Sequence, residues 1–357
     1  MTDNPAGAEA NAGTTPVRDG YRFDEGRLTQ WMAEHVEGFS GPLTVEQFRG
    51  GQSNPTYKLM TPGWSYVMRR KPPGVTLAGA HAVDREAKVL SKLGEQGFPV
   101  AHVYGLCTDE TVIGSWFFIM ELVEGRIFWD VALPNVADAE RPAYFDAMNA
   151  TLARLHSFDP SAIGLGDYGK PGNYFGRQIA RWTRQYLEDD LAGRNEDMDA
   201  LVEWLPAHVP PGDETRIVHG DYRCDNMIFH PTRPEVIAVL DWELSTLGHP
   251  LADISYHAMM YRLPAGVAAG LRGVDLAKLN IPSERDYVAA YCRRTGRSEI
   301  HAWEFYMAFN LFRFAAIIHG IKGRYLRGNA ASANARERAE GFPLVAKLGR
   351  EAMDAFR

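Results

Sequence analysis

The sequence has few cysteines, no CxxC pair and no excess of positive charge. Its three cysteines, Cys107, Cys224 and Cys292, are widely separated, which argues against a disulfide framework or a thiolate zinc site and suits a reducing compartment. The formal net charge of −7 argues against general nucleic-acid binding, which requires a basic surface. What is present is ordinary for a globular chain, because 45% of the residues are apolar and 23% are charged.

Targeting segments and long apolar runs are also absent. Residues 1–20 lack the basic and apolar regions of a secretion signal, and their Ala, Gly, Asn and Thr content predicts a disordered tail. No apolar run reaches the roughly 18 residues that span a bilayer. The longest candidate, FYMAFNLFRFAAIIHGI, contains Asn310, Arg313 and His319 and is interpreted as a core helix. We therefore expect a soluble, cytoplasmic protein without membrane or nucleic-acid partners.

The length and the apolar patterns predict two lobes and an α+β fold. A chain of 357 residues exceeds what one core usually serves. The segments LTVEQFR, TYKLM, WSYVMRRK, VAHVYGLC and SWFFIMELV predict a small five-stranded antiparallel sheet within residues 21–123. One helix is expected over about residues 80–96, where apolar residues recur three or four apart. Residues 124–357 have mainly helical patterns and are assigned to a larger, helical lobe.

Two polar motifs in the second lobe each follow a short apolar strand. HGDYRCDN begins at His219 after TRIV, and LDWE ends the strand VIAVLD. If these strands end side by side, Asp221, Asn226 and Asp241 lie on one rim. Their oxygens suit Mg²⁺, which usually takes one or two carboxylates together with substrate phosphates. Asp221 would then accept the proton of an attacking hydroxyl, so the pattern predicts phosphoryl transfer.

These motifs resemble those of a known family. HGDYRCDN resembles the H-G-D-x-x-x-x-N catalytic loop of the aminoglycoside phosphotransferases, relatives of protein kinases and choline kinases, and LDWE is similar to their metal-binding motif. The resemblance implies a protein-kinase-like two-lobe fold that uses Mg²⁺ and ATP, with GTP not excluded. It implies that Asp221 is the catalytic base and that His219 orients its loop. Asn226 and Asp241 would bind the metal, and Asp253 would cap its helix or brace the loop.

By the same resemblance, the first lobe binds the nucleotide. The candidate residues lie in the Gly-rich turn FRGGQSNP and in the hinge strand SWFFIMELVEG: Gly50, Gly51, Ser53, Asn54, Met120, Glu121 and Val123. Glycines in such a turn let backbone N–H groups approach an anion closely. The Glu121 C=O and the Val123 N–H would pair with the adenine edge. A plain hairpin turn and a buried strand are the alternative interpretations.

The strand YVMRRK departs from the family pattern. The resemblance places Arg69 where the usual phosphate-binding lysine stands. An arginine can still bridge phosphate oxygens, and it does so bidentately. Glu86, on the predicted helix, is its natural partner. Lys71 is the alternative to Arg69, and a solvated basic strand end is the other interpretation.

The acceptor is defined less well than the reaction. Residues 313–350 contain eight basic residues and two acidic ones, which favours an anionic acceptor over a polycationic aminoglycoside, although a solvated helix face fits equally. NYFGRQIARWTRQY and GRYLRGNAASANA resemble a subgroup of kinase-like domains fused to acyl-CoA dehydrogenases, which implies a hydroxyacyl-CoA-like acceptor. We therefore predict an ATP- and Mg²⁺-dependent O-phosphotransferase acting on a small-molecule hydroxyl. A true aminoglycoside 3'-type phosphotransferase and a non-catalytic nucleotide-binding regulator remain alternatives.

Overall fold

The chain divides into two compact units. The structure, a computed structural model, describes residues 13–49, 54–72, 82–265, 267, 270–328 and 335–357. The first unit contains residues 1–126, 227–232 and 237–243, and the second contains residues 127–226, 233–236 and 244–357. This division differs from a single boundary near residue 124, because the segments that follow the HGDYRCDN motif belong to the first unit.

A six-stranded antiparallel sheet forms the centre of the first unit. Its strands are β1 (Thr14–Thr15), β2 (Thr44–Phe48), β3 (Thr56–Thr61), β4 (Trp64–Arg70), β5 (Val103–Cys107) and β6 (Phe117–Glu121). They are ordered β1-β2-β3-β4-β6-β5. The five predicted strands are present, but the prediction is one strand short. Strand β1 lies in the expected disordered tail, where Thr14 pairs with Phe48 and Thr15 with Gln47.

Helices accompany this sheet in the described part of the first unit. They are α1 (Glu25–His35), α2 (Val83–Glu95) and α3 (Glu110–Ile113). Only α2 was predicted. The sequence contains signals for helix α1. An Asp stands at its N-cap position, and in the structure Asp24 accepts a hydrogen bond from the Arg27 N–H. Leu28, Trp31 and Met32 recur at helical spacing and are buried against the sheet.

Helices make up most of the second unit. Those described are α4 (Arg141–Ser157), α5 (Tyr174–Glu188), α6 (Glu196–Ala207), α7 (Pro250–Ala258), α8 (Glu284–Thr295), α9 (Trp303–Leu326), α10 (Ala335–Glu340) and α11 (Phe342–Ala355). Helix α9 contacts α5, α6, α7 and α11. Its polar residues Asn310 and His319 are fully buried, which confirms the core-helix interpretation. In the described residues, no helix combines the length and the apolar content that crossing a bilayer requires.

Two pairs of short strands flank the polar motifs. Strand β7 (Arg216–Val218) pairs with β10 (Thr246–Gly248), and β8 (Met227–Phe229) pairs with β9 (Val236–Val239). The prediction that β7 and β9 end side by side is wrong, because these two strands are not paired with each other. Strand β9 pairs instead with the strand just before it in the chain, because a short connection favours local pairing. Asp221 and Asp241 therefore follow strands of different sheets, one in each unit.

Candidate active site

The loop that carries Asp221 is held by helix α7. Asp253 accepts the backbone N–H of His219 at 2.6 Å and that of Gly220 at 2.8 Å. Burial acts to raise the pKa of Asp253, but its hydrogen bonds and the neighbouring His156 outweigh burial and lower that pKa. An ionised Asp253 thus braces the loop. The helix cap is a different residue, His249, whose Nδ1 accepts the Leu251 N–H.

Gly220 gives the loop a sharp turn that other residues would not adopt. Its φ is +82°, in the left-handed region, and an added Cβ would lie 2.8 Å from the Leu244 carbonyl oxygen. The Gly220 C=O accepts a hydrogen bond of 2.7 Å from Arg313 of helix α9. The backbone next to Asp221 is therefore fixed by two helices that lie far apart in the chain.

Asp221 and Asn226 are direct neighbours. The Asn226 Nδ2 donates to the Asp221 backbone oxygen at 2.9 Å and to Oδ2 at 3.0 Å. The Asp221 Oδ1 accepts the Tyr256 hydroxyl at 2.5 Å and lies 3.2 Å from the Arg223 Nε. Since the amide nitrogen of Asn226 donates to Asp221, its Oδ1 is the atom available to a cation. The fully buried His219 accepts the Asp221 N–H at 3.2 Å, an orienting contact.

In the first unit, Arg69 lies among three carboxylates. Its Nε is 3.0 Å from the Glu86 Oε2, and its Nη2 is 2.8 Å from the Asp241 Oδ1 and 3.4 Å from the Glu243 Oε2. Burial raises the pKa of Glu86. Burial would lower the pKa of Arg69, but the carboxylates outweigh it and raise that pKa, so the guanidinium remains charged.

Lys71, the alternative to Arg69, has a different partner. Its Nζ lies 4.0 Å from the centre of the Trp116 ring, which is a cation–π contact. Arg69 is therefore the basic residue of this strand that contacts Glu86.

Asp241 occupies an unusual backbone conformation. Its φ is +62°, a region that non-glycine residues rarely adopt and that concentrates at functional sites. The turn is stabilised by Trp242, whose Nε1 donates to the Val239 carbonyl at 2.9 Å. One carboxylate oxygen faces Arg69, and the other makes no hydrogen bond or ion pair with the described residues. Asp241 thus has one oxygen available for a cation.

The remaining candidates for nucleotide binding have mixed outcomes. Gly50, Gly51 and Ser53 lie outside the described residues. Asn54 is buried, at 1% exposure. Strand β6 ends with Met120 and Glu121. These two residues and Val123 are half-buried. The Glu121 N–H donates to the His102 carbonyl, and its carboxylate accepts the His102 N–H. Their pairing with adenine stays a prediction.

In the part of the chain that the structure describes, no group of three or more His, Cys, Asp or Glu side chains forms a metal site. A protein-only metal centre is therefore not found there. A metal held by one or two protein oxygens and by phosphates does not require such a group.

A cleft in the second unit adjoins Asp221. Two of its wall residues, Arg223 and Tyr256, contact the Asp221 carboxylate directly. Its apolar lining consists of Trp129, Val131, Met259, Met260, Leu263 and Phe314. Its one acidic wall residue among those described, Asp225, is 3.0 Å from the Arg223 Nη2. The cleft is thus apolar, with its polar groups close to Asp221.

The basic surface predicted near the C-terminus is smaller than the sequence suggested. At least five of its eight basic residues have partners within the unit. Arg313 binds the Gly220 carbonyl, Lys322 the Ala192 carbonyl, Arg327 the Asp189 carboxylate, Arg336 the Glu340 carboxylate and Arg350 the Asp354 carboxylate. These five charges are therefore at least partly compensated within the unit.

Sequence reasoning missed two residues that contact the loop. Tyr256 has a readable signal, because it stands three positions after Asp253 and so shares its helix face. Arg313 has a weaker signal, a basic residue in an otherwise apolar helix.

The chain was compared with known proteins. Residues 44–309 match a family model described as the phosphotransferase enzyme family. Mouse acyl-CoA dehydrogenase family member 10 is 41% identical over 338 residues, covering 94% of this chain and 32% of that protein. Chicken acyl-CoA dehydrogenase family member 11 is 43% identical over 351 residues, covering 95% of this chain and 44% of that protein. The chain therefore spans less than half the length of these relatives.

Solved structures share the fold. A candidate aminoglycoside phosphotransferase from Ralstonia eutropha has a TM-score of 0.87 and 50% identity, covering 94% of this chain and 100% of its own. Spectinomycin phosphotransferase, solved with ADP and spectinomycin, has a TM-score of 0.62 and 12% identity, covering 93% and 98%. Plasmodium vivax ethanolamine kinase has a TM-score of 0.58 and 12% identity, covering 92% and 91%. These neighbours confirm the predicted α+β, kinase-like fold class.

Proposed function

This chain belongs to the phosphotransferase enzyme family, and we propose that it transfers the terminal phosphate of ATP to a hydroxyl group of a small acceptor, with Mg²⁺ as cofactor. The observation that carries the proposal is the Asp221–Asn226 pair on its braced loop. The loop offers a carboxylate as proton acceptor and an amide oxygen as cation ligand. The ADP bound to spectinomycin phosphotransferase supports a nucleotide donor.

Asp221 is proposed as the general base. The acceptor's hydroxyl proton moves to the carboxylate while its oxygen forms a bond to the terminal phosphorus. The bond from phosphorus to the bridging oxygen breaks, and ADP leaves. Such a reaction depends mainly on positioning and on stabilising charge. The hydrogen bonds of Asp253 and Arg313 to the loop supply that positioning.

The metal and nucleotide residues follow from the available atoms. Asn226 in the second unit and Asp241 in the first each have a hard oxygen suited to Mg²⁺, and each is proposed as a metal ligand by the family resemblance. Bound Mg²⁺ would neutralise the developing charge on the phosphates. Arg69 contacts carboxylates through Nε and Nη2, which leaves Nη1 to donate to phosphate oxygens. Residues 21–123 would hold the nucleotide, and residues 124–357 would carry the catalytic loop and bind the acceptor.

The cleft beside Asp221 favours an acceptor with an apolar part. A polycationic aminoglycoside needs carboxylates that are free to pair with its amines, whereas the acidic wall residue Asp225 is paired with Arg223. Side chains such as Trp129, Met259 and Phe314 suit an acyl chain. The relatives are described as acyl-CoA dehydrogenase family members, which agrees with a hydroxyacyl-CoA-like acceptor.

An acceptor screen tests this function. The purified chain is supplied with ATP and Mg²⁺ and, separately, with a 4-hydroxyacyl-CoA, ethanolamine and kanamycin. ADP release and the phosphorylated acceptor are both measured. We expect the highest kcat/KM with the 4-hydroxyacyl-CoA. A preference for kanamycin would establish an aminoglycoside phosphotransferase instead, and ATP binding without transfer to any acceptor would support a non-catalytic regulator.

A further inference from the structure

The two carboxylate oxygens of Asp221 have unequal surroundings. Oδ1 accepts the Tyr256 hydroxyl at 2.5 Å and lies 3.2 Å from the Arg223 Nε. Oδ2 accepts only the Asn226 amide, at 3.0 Å, among the described residues. Each carboxylate oxygen has room for about two hydrogen bonds. Each oxygen accepts one of these hydrogen bonds, and Arg223 adds an ion pair at Oδ1, so Oδ1 faces two side chains and Oδ2 faces one.

Tyr256 is held so that its hydroxyl must donate to Asp221. Its side chain is buried, at 7% exposure, and its ring lies under the Arg313 guanidinium, 5.1 Å from the ring centroid. Burial raises the pKa of Tyr256, and the charge of Asp221 adds to that effect, so the hydroxyl keeps its proton. Arg313 also binds the Gly220 carbonyl, which joins the ring to the catalytic loop.

Helix α7 reaches the loop with two residues of one face. Asp253 and Tyr256 are three positions apart and therefore lie on the same side of the helix. Asp253 binds the backbone N–H groups of His219 and Gly220, whereas Tyr256 binds the side chain of Asp221. The same helix thus fixes the position of the loop and the orientation of its carboxylate.

We propose that Tyr256 is a positioning residue, which occupies the Asp221 Oδ1 and leaves Oδ2 to take the acceptor's proton. The inference rests on the proposed function, because it requires Asp221 to be the base. The acceptor's O–H bond breaks as its oxygen bonds to the terminal phosphorus, the proton goes to Oδ2, and the bond to the leaving ADP oxygen breaks. Tyr256 keeps its own proton throughout: its ring lines the cleft, and its hydroxyl is engaged by Asp221.

The test compares wild-type protein with Tyr256→Phe, using ATP, Mg²⁺ and a 4-hydroxyacyl-CoA. Phenylalanine keeps the ring beneath Arg313 and removes only the hydroxyl. We expect kcat to fall about 10- to 100-fold, as for the loss of one hydrogen bond to a charged group. The KM values of both substrates should stay within about twofold, since neither contacts the hydroxyl. A structural role would instead lower the melting temperature without this separation of kcat from KM.

Tyr186→Phe is the matched control. The Tyr186 hydroxyl also donates to a carboxylate in the same unit, the Asp199 Oδ1 at 2.8 Å. This variant should lose stability and keep the wild-type kcat. If Tyr256→Phe keeps the wild-type kcat, or if both variants lower kcat equally, the positioning role is overturned and the proposed function stands.

Crystal structures separate this inference from the proposed function. If wild-type protein phosphorylates none of the three acceptors in the screen, the proposed function fails. The role of Tyr256 is then tested by the orientation of the Asp221 carboxylate in crystal structures of the wild type and Tyr256→Phe. We expect one carboxylate orientation in the wild type and a rotated or mixed one in Tyr256→Phe. The same single orientation in both proteins would overturn the inference.

Discussion

In the first unit, one largely buried cation lies among three carboxylates; in the second, hydrogen bonds from two helices hold a loop. Arg69 contacts Glu86, Asp241 and Glu243 through ion pairs. Around Asp221, the main contacts are those of Asp253 and Arg313 with the loop backbone. The first arrangement has more negative than positive charge and suits the addition of a cation. The second fixes the geometry of the loop through its backbone groups.

This difference has energetic consequences. Removing one partner of a buried ion pair leaves an uncompensated charge, which is costly. Removing one of several hydrogen bonds to a loop costs less, because the others remain. The first cluster should therefore be the more sensitive of the two to a single substitution.

Arg69→Met should have the largest effect on stability. Glu86 is 3% exposed, so its carboxylate would remain buried without a counter-charge. We expect the free energy of unfolding to fall by about 3–5 kcal/mol in chemical denaturation. Adding Glu86→Gln to Arg69→Met should restore part of that loss, because the second substitution removes the unpaired charge.

Lys92→Met is the control for this prediction. Lys92 pairs with Glu95 at 2.8 Å in the same unit, but both side chains are substantially exposed. Removing the Lys92 charge should lower the free energy of unfolding by less than about 1 kcal/mol. Equal losses for Arg69→Met and Lys92→Met would contradict the view that the Arg69 cluster is a desolvated ion pair.

Asp253→Asn should have a smaller effect on stability. Asparagine keeps the shape of the side chain but replaces one accepting oxygen with a donating nitrogen, so one loop N–H loses its partner. We expect a loss of about 1–3 kcal/mol. Hydrogen exchange at the His219 and Gly220 amides should accelerate, because these amides donate to Asp253.

Asp354→Asn provides the comparison, since Asp354 is exposed and pairs with Arg350 at 3.0 Å. It should leave the exchange of both loop amides unchanged. Unchanged exchange in Asp253→Asn as well would show that Asp253 does not brace the loop.

Local patterns predicted much of the helical unit. Residues 124–357, predicted to be mainly helical, contain helices α4 to α11, and the helix that contains Asn310 is buried as expected. Strand β1 was not predictable, because two threonines carry no periodicity. The pairing of β7 with β10 was missed because a three-residue strand contains little information about its partner.

The candidate site was predicted in part, and the reason lies in distance along the chain. The motif residues Asp221 and Asn226 stand five positions apart, so their neighbourhood could be inferred from one segment. Tyr256 contacts Asp221 from 35 positions away, and Arg313 contacts Gly220 from 93 positions away. Helical spacing shows that Tyr256 shares a face with Asp253, but tertiary packing creates the contacts themselves.

Asp221→Asn tests the central claim most directly, with Asp146→Asn as control because Asp146 is exposed and pairs with Arg294. Phosphate transfer from ATP to the acceptor and the Kd for ATP are measured for both variants. We predict that Asp221→Asn lowers kcat about 10²- to 10⁴-fold, as for the loss of a general base, and leaves ATP binding intact. Asp146→Asn should match the wild type. Wild-type kcat in Asp221→Asn would contradict the assignment of Asp221 as the base.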